Sequence, residues 1–394
     1  MNTDTLFACD LALPTPQPAS DFERRGFEIG WDFAHYRLTP PADHLHDGHP
    51  VRQGWSAGHA VFGTRTLKAT PAVRKWLQLR LSAWVRGRSF DDVQVTPRYL
   101  AAIAVAHCPI TGEAMTHATG ADSDASVDRV NNDAGYAAGN LAVMSVRANA
   151  AKSDSDWVDA LRFARQVELG KLGTLDGLDA AQWARLGCLM SLVTPLPHDE
   201  AARLPLLVFP PPRLRVLNPV QALQVVLTRL MLASGPTPRA DRIAACVPAP
   251  LRQMLYVLLN TLLARRLAAA AAAPLAAQPD AEAWRARVGR IWSDALLLRR
   301  WRRVALSLTS GQCDAVVQRL LALPGQRDAK VVLTRPMSLE QATEGWSLET
   351  RGRVEALQVL TRRQDENTRR PSIAATETVA THLPAQPAQA RLWS

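Results

Sequence analysis

The chain has 394 residues, of which 47% are hydrophobic, and carries a formal net charge of +10. At roughly 100–200 residues per domain, that length predicts two or three domains, and the composition is that of a soluble globular protein with a sizeable core. The basic balance points to a polyanionic partner, most often nucleic acid, set against the plainer reading of a solvated, Arg-rich surface from a GC-rich genome. Cys9, Cys108, Cys188, Cys246 and Cys313 are scattered singly, which excludes a disulfide framework and a standard structural zinc site and fits a reducing cytoplasm. The opening MNTDTLFACDLALPTP lacks the basic and apolar regions of a signal peptide. The longest apolar run, LAAAAAAPLAA from Leu267, is too short and too weakly hydrophobic to span a bilayer.

Residues 1–22 are polar and contain prolines, so they read as a flexible N-terminus. An N-terminal domain over 23–160 follows. It opens with an aromatic-rich segment and a loop holding His44, His46 and His49. Three close histidines invite a metal reading, but partner ligands are missing and Asp, Gly and Pro nearby signal a turn, so a solvated loop is expected.

Residues 71–88 read as an amphipathic helix, with Pro71 in its first turn and Val73, Leu77, Leu81, Trp84 and Val85 at helical spacing. Arg74, Lys75, Arg80, Arg86 and Arg88 give it five positive charges and it carries no acid. It is a candidate phosphate-contacting face, or equally an ordinary surface helix with a basic outer side; Trp76 and Trp84 are expected in the core. A second helix is expected over 97–106. After Lys152 the pattern turns helical: an extension over 161–193, with Asp179 and Gln182 placed as a capping box, then a Pro-rich linker over 194–219. A helical C-terminal domain is expected over 220–363, with helices near 220–234, 249–270, 281–309, 312–323 and 347–363. A polar tail over 364–394 reads as disordered.

The segment that carries chemistry is SVDRVNNDAGYAAGNLAVMSVRANAAKSD, residues 126–154, preceded by CPITG at 108–112. ASVDRV alternates like a strand. NNDAGYAAGN is dense in turn residues. LAVMS suits a second strand, and Ser145 can cap a helix over VRANAAK, which puts Asn149 and Lys152 one turn apart on one face.

These residues resemble the HNH or His-Me finger (ββα-metal) nuclease family, in a variant with Asp-Arg where the usual signature has Asp-His. The resemblance covers about 45–50 residues (roughly 107–154), the size of one supersecondary unit. It implies an α+β fold: a small ββα-metal unit in the N-terminal half, followed by a mainly α-helical C-terminal region. Carried over, it makes Asp128 and Asn149 ligands of one divalent ion, Mg²⁺ or Mn²⁺, and makes Asn140 the residue that pins the inter-strand loop. Lys152 would sit near the phosphate. An oxygen-seeking ion that keeps several waters would suit one carboxylate and one amide oxygen.

Arg129 stands where the family has its general base. A guanidinium stays protonated and has no acceptor, so it can only clamp phosphate or stabilise charge. His117 is then the leading candidate base, with His107 and Tyr136 behind it. Only Cys108 remains of the cysteine pairs that brace many relatives, so no structural zinc is expected.

The expectation is a metal-dependent endonuclease cleaving phosphodiester bonds in DNA, possibly RNA, with no membrane association. The alternative is a catalytically degenerate HNH-like protein that binds nucleic acid or a partner. A third reading makes the helical second half an interaction scaffold. No protein partner is indicated.

Overall fold

The computed structural model describes residues 20–170, 173–232, 240–271, 281–323 and 338–354. The expected flexible N-terminus up to residue 19, the tail over 364–394 and residues 355–363 of the last expected helix lie outside these. The protein is α-rich, and among the described residues its regular β structure is a two-stranded antiparallel sheet. Two compact units divide the chain, Met1–Thr70 and Pro71–Ser394. No described helix is long and apolar enough to cross a membrane.

In the first unit, α1 (Asp21–His35) starts from a capping box between Ser20 and Glu23. α2 (Pro50–Phe62) starts with Pro50 in its first turn and the His49 ring accepting from Val51 N. The helices approach backbone to backbone: a Cβ on Gly30 would run into the Val51 carbonyl, and one on Gly54 into that of Phe27. Phe62 packs against Trp31 and His35. The His44, His46 and His49 rings cluster, with centroids 5.1 Å and 4.8 Å from His49. Among the described residues, no group of three His, Cys, Asp or Glu is placed to hold a metal ion.

The second unit begins with α3 (Pro71–Val85) and α4 (Pro97–Ile103), the latter capped by Thr96 accepting from Tyr99 N. A long loop leads to β1 (Ala125–Arg129) and β2 (Leu141–Ser145). The strands pair antiparallel, with Val127 opposite Val143 and Asp128 opposite Ala142. All of β2 is buried. Alternate residues of a strand face opposite sides, and here both sides are covered. Leu141 and Val143 join Val127 and Tyr136 against Leu79, Ala83, Leu100 and Ile103 of α3 and α4. Ala142 and Met144 enter the larger core. Ser145 ends β2 and caps α5 (Val146–Lys152), its Oγ accepting from Ala148 N.

Two capping boxes set the next helices. Asp156 with Asp159 starts α6 (Trp157–Leu169), and Asp179 with Gln182 starts α7 (Ala180–Leu192). The Pro-rich stretch read as a linker lies inside this unit. It holds α8 (His198–Arg203) and buries Leu206, Val208 and Leu214 in the larger core. The helices α9 (Pro219–Leu232), α10 (Ala240–Ala245), α11 (Arg252–Ala271), α12 (Ala281–Trp292), α13 (Ala295–Ala305) and α14 (Ser310–Leu321) follow. The single helix expected over 281–309 is two, α12 and α13. Its interruption has a local cause: Asp294 Oδ1 accepts from Leu297 N and starts a new helix, a backbone bond that competes with continuing the old one.

The last described segment, 338–354, returns to the β hairpin. Trp346 is fully buried, its Nε1 donating to Ala138 O at 3.0 Å and its carbonyl accepting from Gly135 N at 2.8 Å. Ser89 N donates to Gly352 O, and Val354 N to Gly87 O. Gly352 has a φ of +64°, and a Cβ there would strike the backbone of Ala134. Only glycine meets both demands without strain. Where a helix over 347–363 was expected, the described part is a 3-10 turn, Leu348–Thr350.

Candidate functional site

The inter-strand loop is held rigidly by its own side chains. Asn140 is fully buried. Its Oδ1 accepts from Asn131 N at 2.8 Å, and its Nδ2 donates to Asn131 O and Gly135 O. Arg129, 8% exposed, works on the same loop: its Nη1 donates to Asn132 O at 3.0 Å and Ala134 O at 2.9 Å. Its guanidinium lies 5.3 Å from the centroid of the Tyr136 ring. Buried carbonyls need donors, and Arg129 and Asn140 supply them where the tight turn leaves no sheet partner.

Lys152 is the least expected residue here. Read as a phosphate contact, it instead has no exposed surface, and its Nζ sits 2.9 Å from Asp128 Oδ2 and 2.7 Å from Asn132 Oδ1. The ammonium thereby ties the end of α5 to β1 and to the loop. A lysine is almost never fully buried unless paired, and the Asp128 carboxylate, 15% exposed, is its pair. Asn149 reaches back to the same strand, its Nδ2 donating to Ser126 Oγ at 2.9 Å.

In this arrangement the Lys152 ammonium competes with a divalent ion for Asp128. One carboxylate oxygen and the Asn132 amide oxygen are already held by an ammonium. Asn149 Oδ1 and Asp128 Oδ1 accept no hydrogen bond among the described residues, which leaves two protein oxygens. Asp128 carries one negative charge, and the Lys152 ammonium sets a positive one directly against it. A hard dication takes oxygen ligands, and here it would meet the ammonium already seated on Asp128.

His117 and His107 are exposed, and His107 lies on a bridge to Ala114. Tyr136 is 2% exposed, with its hydroxyl accepting from Arg86 Nη2 at 3.0 Å. Cys108 Sγ is buried and accepts from Thr111 N, Ser145 N and Ser145 Oγ. Burial alone would raise its pKa, but the hydrogen bonds from Ser145 and Thr111 outweigh it and hold the thiol below its ordinary value.

The basic helix divides in two. Arg80 is buried, ion-paired to Asp92 at 2.6 Å and set over the Trp76 ring. Lys75 is held below its ordinary pKa by burial, offset in part by Asp124. Arg74 also has partners in the chain. Past the helix end, Arg86 turns toward the hairpin and donates to the Tyr136 hydroxyl, while Arg88 Nη1 donates to Arg351 O of the last described segment at 3.1 Å.

Sequence reasoning missed Asn132, whose side chain accepts from Lys152 and donates to Ser153 O and Ser155 O. It also missed Trp346 and Arg353, which lie more than 190 residues beyond the end of the motif in sequence. The Asn-Asn-Asp run gave a local signal for the first; nothing local signals the other two. No family model, curated protein or solved structure matches the chain.

Proposed function

We propose that the second unit carries a nucleic-acid-binding module built on an HNH-like ββα element that no longer hydrolyses. The observation that carries this is the buried Lys152 ammonium on Asp128. It stands where a ligated ion would neutralise the carboxylate, and it joins the same strand, loop and helix by charge-assisted hydrogen bonds. Two further features support the reading. Arg129 Nη1 is committed to loop carbonyls, and a guanidinium has no acceptor with which to take a proton from water. The second part of the loop is sealed, since every residue from 134 to 140 is buried. The net charge of +10 supplies the sequence-independent attraction for a phosphate backbone.

The metal-dependent endonuclease is the second reading, favoured by the Asn149 and Asp128 oxygens that accept no hydrogen bond among the described residues. Supercoiled plasmid with Mg²⁺ or Mn²⁺ separates the two. The module should retard DNA on a gel and leave it uncut with either ion. Nicking that Asp128→Ala and Asn149→Ala both abolish would establish the endonuclease instead.

A further inference from the structure

Four arginines converge at one edge of the hairpin. Arg86 and Arg88 follow α3, Arg129 ends β1, and Arg353 arrives with the last described segment. The geometry is explicit. Arg86 donates to the Tyr136 hydroxyl at 3.0 Å, and Arg129 lies over the ring of the same tyrosine. Arg88 and Arg353 are paired in an antiparallel bridge, and Arg88 donates to the Arg351 carbonyl, 263 residues further on. The charged neighbours acting on Arg88 are Arg129, Arg353 and Arg86. Burial first, and then those charges, hold its guanidinium below the ordinary arginine value, with Tyr136 opposing.

A protein surface ordinarily pairs such charges. Arg80 has Asp92, Arg147 has Glu113 and Arg162 has Asp159. Among the described residues, Arg86, Arg88, Arg129 and Arg353 make no ion pair with a carboxylate. Arg129 Nε is buried without a hydrogen-bond partner. Arg86 and Arg353 are exposed and Arg88 is half-buried, so the front of the cluster is open to solvent while Arg129 and Tyr136 form its floor. Gathering like charges is unfavourable without a counter-charge, and planar guanidinium forks match phosphate oxygens.

We infer that Arg86, Arg88 and Arg353, backed by Arg129 and Tyr136, form a composite site that grips the phosphodiester backbone of DNA. This rests on the nucleic-acid reading above and gives it a contact surface, one distinct from the Asp128–Lys152 pair and from the body of α3. The ligand is a backbone phosphate, because the exposed groups of the cluster are guanidinium forks and the Tyr136 ring is covered. Two segments distant in sequence build the site, so it exists only when the last described segment is docked.

The test is fluorescence anisotropy of a short labelled DNA duplex with the full chain, titrated at several salt concentrations. Arg353→Gln and Arg88→Lys are compared with the Arg86→Gln/Arg88→Gln/Arg353→Gln triple variant, with Arg165→Gln of α6 as a charge-matched control. Each lost phosphate contact lowers the slope of log K against log salt by about 0.9. The triple variant is therefore expected to lose about 2–3 units of slope and at least about tenfold in affinity at low salt. Arg88→Lys keeps the charge and should show an intermediate loss. Arg165→Gln should match wild type, and thermal melting confirms that each variant is folded. Wild-type binding that the triple variant retains in affinity and slope overturns the site while leaving the nucleic-acid reading in place. No binding by wild type at low salt overturns that reading and the site with it. Tight binding of inorganic pyrophosphate, with competition against DNA only at the triple-variant positions, would keep the anion chemistry but overturn DNA as its source.

Discussion

Lys152 and Asp128 should behave as one crosslink, and a double-mutant cycle measures it. At 2.9 Å, two unit charges attract by about 6 kcal/mol at an effective dielectric constant near 20. Part of that offsets the cost of stripping water from an ammonium with no exposed surface, so the pair adds less to stability than its attraction. Removing one partner is different, because it strands the other charge. Lys152→Met leaves a carboxylate that is 15% exposed and within reach of water, so the loss should be about 3 kcal/mol, the low end for a broken buried pair. Asp128→Leu leaves the ammonium sealed with only Asn132 Oδ1 and should cost about 5 kcal/mol. In the double variant both charges are gone and two apolar chains of similar volume remain, so the loss should be about 1–2 kcal/mol, mostly from the orphaned Asn132 amide. Urea unfolding of the four proteins gives the coupling directly. A double variant destabilised by the sum of the two singles, within about 0.5 kcal/mol, would refute the crosslink and with it the argument that the ammonium has taken an ion's place.

Trp346→Ala should cost about 3–5 kcal/mol, since a fully buried indole and its bond to Ala138 O are lost together; denaturant titration checks it, and a near-neutral result would mean the returning segment is not part of the core. Asp124 gives a pH signature. Burial pushes its pKa up, but hydrogen bonds from Thr116, Thr119 and Gly120 outweigh this and hold it below the ordinary carboxylate value. On acidification the unfolded chain takes up this proton first, so the carboxylate's contribution is complete above the ordinary value and is lost as pH falls through the lowered one. Thr119→Val removes one of those bonds and should cost about 1–2 kcal/mol at neutral pH, with the gap to wild type closing below about pH 4; a gap that persists in acid would assign the loss to the loop instead.

The parts of this fold that were legible are those with local causes. Turn residues at 131–140 separate two short strands, Ser145 caps α5, and Asp179 with Gln182 starts α7, each a bond between near neighbours. The pairing of Asp128 with Lys152 was not legible because a lysine at the end of a short helix has the same local sequence whether its head meets solvent or a carboxylate 24 residues earlier. Arg129 shows the same gap: its residue type excludes a base, but only the fold shows its donors turned inward to Asn132 and Ala134 rather than outward to phosphate. Arg80 could be read as part of a basic face until Asp92 appeared beside it. The α12–α13 break has a local sign in Asp294, whose residue type favours a helix N-cap.

Trp346 and Gly352 lie late in the chain but close the hairpin built around Asn140. A ribosome that has finished β2 must add more than 200 further residues before that closure can form, which at about 5–20 residues per second is on the order of tens of seconds. During that interval the Gly135 amide and the Ala138 carbonyl lack the partners that Trp346 later provides. The nascent hairpin is then an unfinished surface that has to be kept from other chains until the last segment arrives.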